Sequence, residues 1–141
     1  MIVLDTNVIS ELMRPGPDPS VLAWLDAQPD TELFLCSVVA AELLYGIARL
    51  PEGARRKQFA AQMQTVLMED FVNRVLPFDL HAATVYADMV AKRERMGQRI
   101  ASADAQIAAI CLSHQATLAT RNIRDFEGLG LHLLNPWALS A

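Results

Sequence analysis

A chain of 141 residues has the size of one ordinary domain, spanning 1–141, and buries roughly 68–70% of the surface its unfolded form exposes, so folding requires neither disulfide nor structural metal. Hydrophobic residues at 52% against aromatics at 6% call for an aliphatic, alanine-rich core and exclude a disordered chain. A formal net charge of −4 excludes a protein that meets nucleic acid over a whole basic face, yet leaves room for a site where acids hold metal and local arginines hold phosphate.

Ile2-Val3-Leu4 is apolar and partly β-branched, and it runs straight into Asp5-Thr6-Asn7. That pattern predicts a buried strand with Asp5 at its carboxyl end. A bland alternative is that Asp5 only caps the helix expected over Val8 to Met13. Arg14-Pro15-Gly16-Pro17 stops that helix, and Asp18 with Pro19 starts the next, which Pro29-Asp30 ends. Leu33 to Cys36 reads as a second strand. Ser37 is expected to cap a helix to about Leu50 that carries Glu42 in its second turn, and a longer, charged helix is expected from Glu52 to about Asp70.

Val75 to Phe78 is a third strand, with Asp79 capping a helix to Met96 and Gly97 stopping it. Ser102 is expected to cap a helix from Ala103 to about His114, with Asp104 in its first turn and alanines that permit close packing. Thr117 to Thr120 is a fourth strand, Asn122 caps a short turn holding Asp125, and Leu131 to Leu134 is a fifth. Cys36 and Cys111 stand among apolar neighbours without a zinc pattern and read as buried thiols of a reduced compartment. The start lacks the features of a signal peptide, and no run approaches the ~20 apolar residues of a membrane span. A soluble cytoplasmic protein is expected.

Strands alternating with helices, without a hairpin signal, imply a three-layer α/β/α sandwich around a mostly parallel five-stranded sheet. In such a sheet, residues just beyond the strand ends converge on one edge. Asp5, Glu42, Asp104 and Asp125 all lie at such positions, so four distant carboxylates can share a pocket. Like charges about 4 Å apart repel by about 4 kcal/mol at an effective dielectric of about 20, so either some acids stay protonated or a cation neutralises them. Oxygen donors without His or Cys suit Mg²⁺ or Mn²⁺, and the matching chemistry is phosphoryl transfer or phosphodiester hydrolysis. Thr6, Thr120 and Asn122 are supporting polar groups, able to hydrogen-bond a water, a phosphate or an acid.

These pieces carry a resemblance. Leu4-Asp5-Thr6-Asn7 followed by Val8-Ile9-Ser10-Glu11, Ala41-Glu42-Leu43, Asp104-Ala105-Gln106-Ile107-Ala108-Ala109, Thr120-Arg121-Asn122-Ile123-Arg124-Asp125-Phe126, Leu76-Pro77-Phe78-Asp79 and Asn135-Pro136-Trp137 together resemble a PIN-domain ribonuclease of the VapC toxin type, FitB-like branch. The resemblance implies a metal-dependent endoribonuclease, the toxin of a type II toxin–antitoxin pair. Asp5, Glu42 and Asp104 would be the principal metal ligands, Asp125 the fourth acid, and Thr120 or Asn122 the group that positions water. It also implies a homodimer and a DNA-binding antitoxin whose carboxyl-terminal segment wraps the toxin. Such a segment is expected to place a basic residue among the acids.

Other residues read differently. Lys92, Arg93, Arg95 and Arg99 gather at a helix end, where cations are favoured in any case. Arg99, Arg121 and Arg124 are the candidate RNA-phosphate contacts, the last two flanking the loop of the fourth acid. His81, His114 and His132 share no ligand spacing, and Trp24 and Trp137 read as core or interface anchors. A haloacid-dehalogenase-like phosphatase also begins with a strand ending in Asp, but Asn7 stands where its second acid belongs and Lys92 is the last lysine. The remaining alternative is a PIN-fold binding module without catalysis.

Overall fold

The first strand of the chain, β1 (Ile2–Leu4), is the middle strand of the sheet. The computed structural model describes residues 1–139. After β1 come α1 (Thr6–Leu12), α2 (Pro19–Asp26), β2 (Leu33–Cys36), α3 (Ser37–Ala48), α4 (Ala54–Thr65), β3 (Val75–Leu76), α5 (Leu80–Arg95), α6 (Ser102–Ser113), β4 (Thr117–Ala119), α7 (Ile123–Phe126) and β5 (His132–Leu134). The five strands lie in the order β3-β2-β1-β4-β5, every pairing parallel, in the expected α/β/α arrangement. Parallel strands need crossovers, and helices supply them, which is why the central strands carry apolar residues on both faces. Val3, Leu4, Leu35, Leu118 and Ala119 are fully buried.

Two features hold this frame. The alanine-rich α6 has Ala105, Ile107, Ala108, Ala109, Ile110 and Cys111 buried and packs along α5, as a helix apolar on nearly all sides must. Arg74 ties the sheet edge to the helices by donating to the carbonyl oxygens of Asp30, Leu33 and Asp70.

Four expectations are corrected. The helix foreseen from Glu52 to Asp70 begins at Ala54 and changes at Thr65 into a π-helical turn, Val66–Asp70, which turns Phe71 into the core and presents the Asp70 carbonyl to Arg74. The third strand is shorter than foreseen, because Phe78 leaves the ladder and its N–H donates to Ser37 Oγ at 3.1 Å. Ser37 is therefore no cap; it is the first residue of α3, and Cys36 precedes it. Ser102 likewise opens α6 without capping it, since the cap is Ala101, whose carbonyl accepts from Ala105 N–H at 2.9 Å. Asp18 and Asp79 do cap, accepting from Ser20 and Ala82 N–H, and Gly97, at φ +69°, ends α5 in the left-handed conformation that glycine tolerates.

Candidate active site

From β1 the chain passes to β2 on one side, and only later returns to β4 on the other. The crevice beyond the carboxyl ends of β1 and β4 is therefore the switch point at which open α/β sheets place ligands. Leu4 pairs with Ala119, so the next residues, Asp5 and Thr120, leave the sheet side by side. Thr120 Oγ1 donates to Asp5 Oδ2 at 2.7 Å, and both residues are buried, with relative exposures of 0% and 4%.

The rest of the site is built on that pair. Asp5 Oδ1 accepts from Thr6 N–H at 2.8 Å, so Asp5 does cap α1, while its other oxygen faces Thr120 and, at 3.3 Å, Asn7 Nδ2. Capping and a site role coexist on two oxygens of one carboxylate. Thr6 Oγ1 donates to Glu42 Oε1 at 2.8 Å, joining α1 to α3. Asn122 N–H donates to Thr120 Oγ1 at 3.0 Å, and Arg121 N–H to Asn7 Oδ1 at 3.2 Å. The loop after β4 is thus fastened to the loop after β1. A cavity of about 450 Å³ opens above it, and Asp5, Glu42 and Asp104 all line it.

Among the described residues no cation pairs with Asp5 or Asp104, and both carboxyls are shifted upward. Burial raises the pKa of Asp5, helped by the charge of Glu42 and opposed by hydrogen bonds from Thr120, Thr6 and Asn7. Burial pushes the Asp104 carboxyl up to about 6, and the charges of Asp5, Asp125 and Glu42 add to the rise. Burial pushes the Cys36 thiol up to about 11, and Cys36 does not line the cavity, whose candidate metal donors are the carboxylate and other oxygens of its lining.

Residues 2–130 match the PIN domain family. The chain belongs to the PIN-domain family. Among its relatives, VapC ribonuclease Y4jK of Sinorhizobium fredii is 46% identical, with 97% of this chain and 98% of that protein covered. Toxin FitB of Neisseria gonorrhoeae is 38% identical, with 97% and 99% covered. A solved structure of FitAB bound to a DNA fragment superposes with a TM-score of 0.92 at 38% identity, covering 100% of this chain and 99% of that one. The resemblance to the VapC type and its FitB-like branch is borne out, and the phosphatase alternative gives way to a family match across most of the chain.

In this PIN domain the four expected acids do not stand alike. Asp125, exposed in the short α7, is not part of the cavity lining, and Asn122 lines it in its place. The charge of Asp125 adds to the rise in the Asp104 pKa. Thr120, fully buried, does not line the cavity, and its hydroxyl donates to Asp5. Asn122 makes no side-chain capping bond. Of the candidate phosphate contacts, Arg121 lines the cavity whereas Arg99 and Arg124 do not. Arg93, at the end of α5, donates to Glu127 O at 3.1 Å and holds the loop after α7.

Five lining residues were not among the expected site residues: Asn7, Ser10, Glu11, Arg14 and Trp137. Glu11 is buried, and its carboxylate accepts from Arg14 Nη1 at 3.2 and 3.4 Å and from Asp18 N–H at 3.3 Å. Part of the signal was present, because Asn7, Ser10 and Glu11 fall at i, i+3 and i+4 on one face of α1, and Arg14 follows just past its end. The donor chemistry of the cavity fits a hard divalent cation. Among the described residues no three acid, His or Cys side chains close around one point, a looseness compatible with Mg²⁺, which keeps several waters and uses one or two carboxylates.

Proposed function

We propose that this PIN domain, a single unit over residues 1–141, is a cytoplasmic, divalent-metal-dependent endoribonuclease and the toxin of a type II toxin–antitoxin pair. The observation that carries the reading is the meeting of Asp5, Glu42 and Asp104 in one cavity at the switch point of a PIN-domain sheet. The names of the relatives, a VapC ribonuclease and the toxin FitB, agree with it. No described helix is long and apolar enough to cross a membrane.

Asp5, Glu42 and Asp104 would hold Mg²⁺ or Mn²⁺, which supplies an activated water and charge neutralisation at the phosphodiester. The chain's own contribution is preorganisation. Thr120 and Asn7 fix one oxygen of Asp5, and Thr6 fixes Glu42. Asp104, whose carboxyl sits at about 6, would hold a cation in its ionised form, so metal uptake would displace a proton only where pH falls toward that value. Asp125 is the fourth acid, acting on Asp104 from outside the lining, and Asn122 offers the amide nearest the role of positioning water.

Such an enzyme needs an inhibitor, and the solved FitAB complex on DNA supports a DNA-binding partner. An apolar groove of about 450 Å³ runs on from the acids, sharing Thr6, Ser10, Arg14 and Glu42 with their cavity and reaching Met13, Ile47, Phe59 and Met63. An antitoxin segment lying there could deliver a basic side chain to the carboxylates. A homodimer through the helices completes the assembly.

The test is cleavage of total cellular RNA by purified protein freed of any partner, with Mg²⁺, with Mn²⁺ and with EDTA, beside Asp5→Asn and Asp104→Asn. Metal-dependent cutting lost in both folded variants is expected. No cutting by a metal-binding wild type would leave the binding-module alternative.

A further inference from the structure

Trp137 does more than anchor the end of the chain. It is half-buried and packed against the core, yet it lines the same cavity as Asp5, Glu42 and Asp104. Its backbone N–H donates to Asn135 Oδ1 at 2.9 Å, which fixes its position. The guanidinium carbon of Arg121 lies 5.0 Å from the centre of its ring, within the range of a cation–π contact, while Arg121 N–H is held by Asn7.

The cavity lining has two arginines, and they are not equivalent. Arg14 is taken by Glu11, whereas Arg121 enters no ion pair among the described residues. Part of the wall beside three acids is therefore an immobilised aromatic carrying a planar cation that no acid neutralises. A cavity that must accept a polyanion against three carboxylates needs such a cation. Single-stranded nucleic acid is held where aromatic rings or guanidinium planes stack on unpaired bases beside cations that take phosphates.

We propose that Trp137 and Arg121 form a nucleotide-seating platform, on which an unpaired base of the substrate strand stacks while Arg121 takes a phosphate beside it. The proposal rests on the ribonuclease reading and assigns to it the two residues that would seat the strand, which a base within a duplex, with both faces already stacked, could not use. Trp137 and Arg121 are then binding residues, and the acids remain the catalytic ones.

The test measures equilibrium binding to the full chain carrying Asp104→Asn, with Mg²⁺ present, of hexa-adenylate and of an abasic hexamer of ribose phosphates. Hexa-adenylate is expected to bind more tightly by roughly 5- to 150-fold for each stacked base. Adding Trp137→Ala is expected to erase that preference and leave abasic binding unchanged, and Trp137→Phe to retain most of it. Arg121→Ala is expected to reduce the slope of log affinity against log salt by roughly 0.7 for each phosphate released, a slope that Trp137→Ala does not move. Equal binding of the two hexamers, a loss shared by both in Trp137→Ala, or no binding at all overturns the platform. RNA cleavage by the wild type is scored separately. Cutting without base-dependent binding sinks the platform alone, and base-dependent binding without cutting sinks the nuclease reading alone.

Discussion

The hydroxyl of Thr120 and Oδ2 of Asp5 meet at 2.7 Å, with both residues buried at the ends of adjacent parallel strands. Thr120→Val keeps the shape and removes the donor, leaving a buried carboxylate short of one hydrogen bond. A hydrogen bond to a charged group contributes about 1.5–3 kcal/mol, so urea unfolding is expected to show a loss of that order. The bond also lowers the Asp5 pKa, so its removal moves the acid limb of the cleavage–pH profile upward. Thr120→Ser is expected to restore both. An unchanged profile in Thr120→Val would show that Asp5 does not depend on this bond.

Asp104 links pH, metal and stability. Its carboxyl sits at about 6 in the folded protein against an ordinary 3.8, so across that interval the native state binds more protons than the unfolded one. Stability of the metal-free protein therefore falls as pH rises through the interval, and the full cost is present above it. Metal requires the deprotonated form, so the thermal stabilisation by Mg²⁺ is expected to be small at about pH 5 and large at about pH 7.5. Asp104→Asn, without the charge, is expected to melt higher than wild type at the upper pH when no metal is present, and to respond little to Mg²⁺. Equal Mg²⁺ shifts at both pH values in the wild type would contradict the linkage.

Asp125 acts on Asp104 from outside the cavity lining. Asp125→Asn is therefore expected to lower cleavage less than tenfold, below the roughly 10- to 100-fold typical when an outer group orients a ligand, whereas Asp5→Asn and Asp104→Asn abolish it. The sign of its pH effect is also fixed. Removing a charge that raises the Asp104 pKa lets that pKa fall, so the acid limb moves to lower pH, opposite to Thr120→Val. Loss of activity as complete as in Asp104→Asn would make Asp125 a direct ligand.

What the sequence disclosed and what it hid differ in kind. Apolar runs ending in acids mark strands and the edge where Asp5, Glu42 and Asp104 collect, because burial and parallel pairing leave few other solutions. Contacts between elements left no such mark. The bond from Thr120 to Asp5 follows from the Leu4–Ala119 register, which no local pattern encodes. Ser37 and Ser102 look like caps because serine often is one, but tertiary contacts decided otherwise, with Phe78 N–H claiming Ser37 Oγ. The π-helical turn after Thr65 serves Phe71 and Arg74, partners that a helical periodicity cannot reveal. Arg121 and Trp137 are neighbours across a gap in sequence, so no local pattern marks their cation–π contact.

Glu11 and Arg14 give the last prediction. The side chain of Glu11 is 6% exposed and that of Arg14 is 65% exposed, so one end of the pair lies in the protein and the other in water. An exposed pair contributes about 0–1 kcal/mol, whereas breaking a fully buried one costs about 3–5 kcal/mol. Arg14→Ala should fall between them, at about 1–2 kcal/mol, since Glu11 keeps Asp18 N–H as a donor. Glu11→Ala is expected to lose more, because it also removes the acceptor of the half-buried Asp18 N–H at the start of α2, at a cost toward the lower end of the roughly 1–3 kcal/mol of an unmet buried group. The double variant is expected to cost less than the sum by about 0.5–1.5 kcal/mol, the coupling of residues in direct contact. Chemical unfolding of the four proteins gives the cycle, and a coupling near zero would mean that water screens the pair and that Arg14 is as available to a substrate phosphate as Arg121.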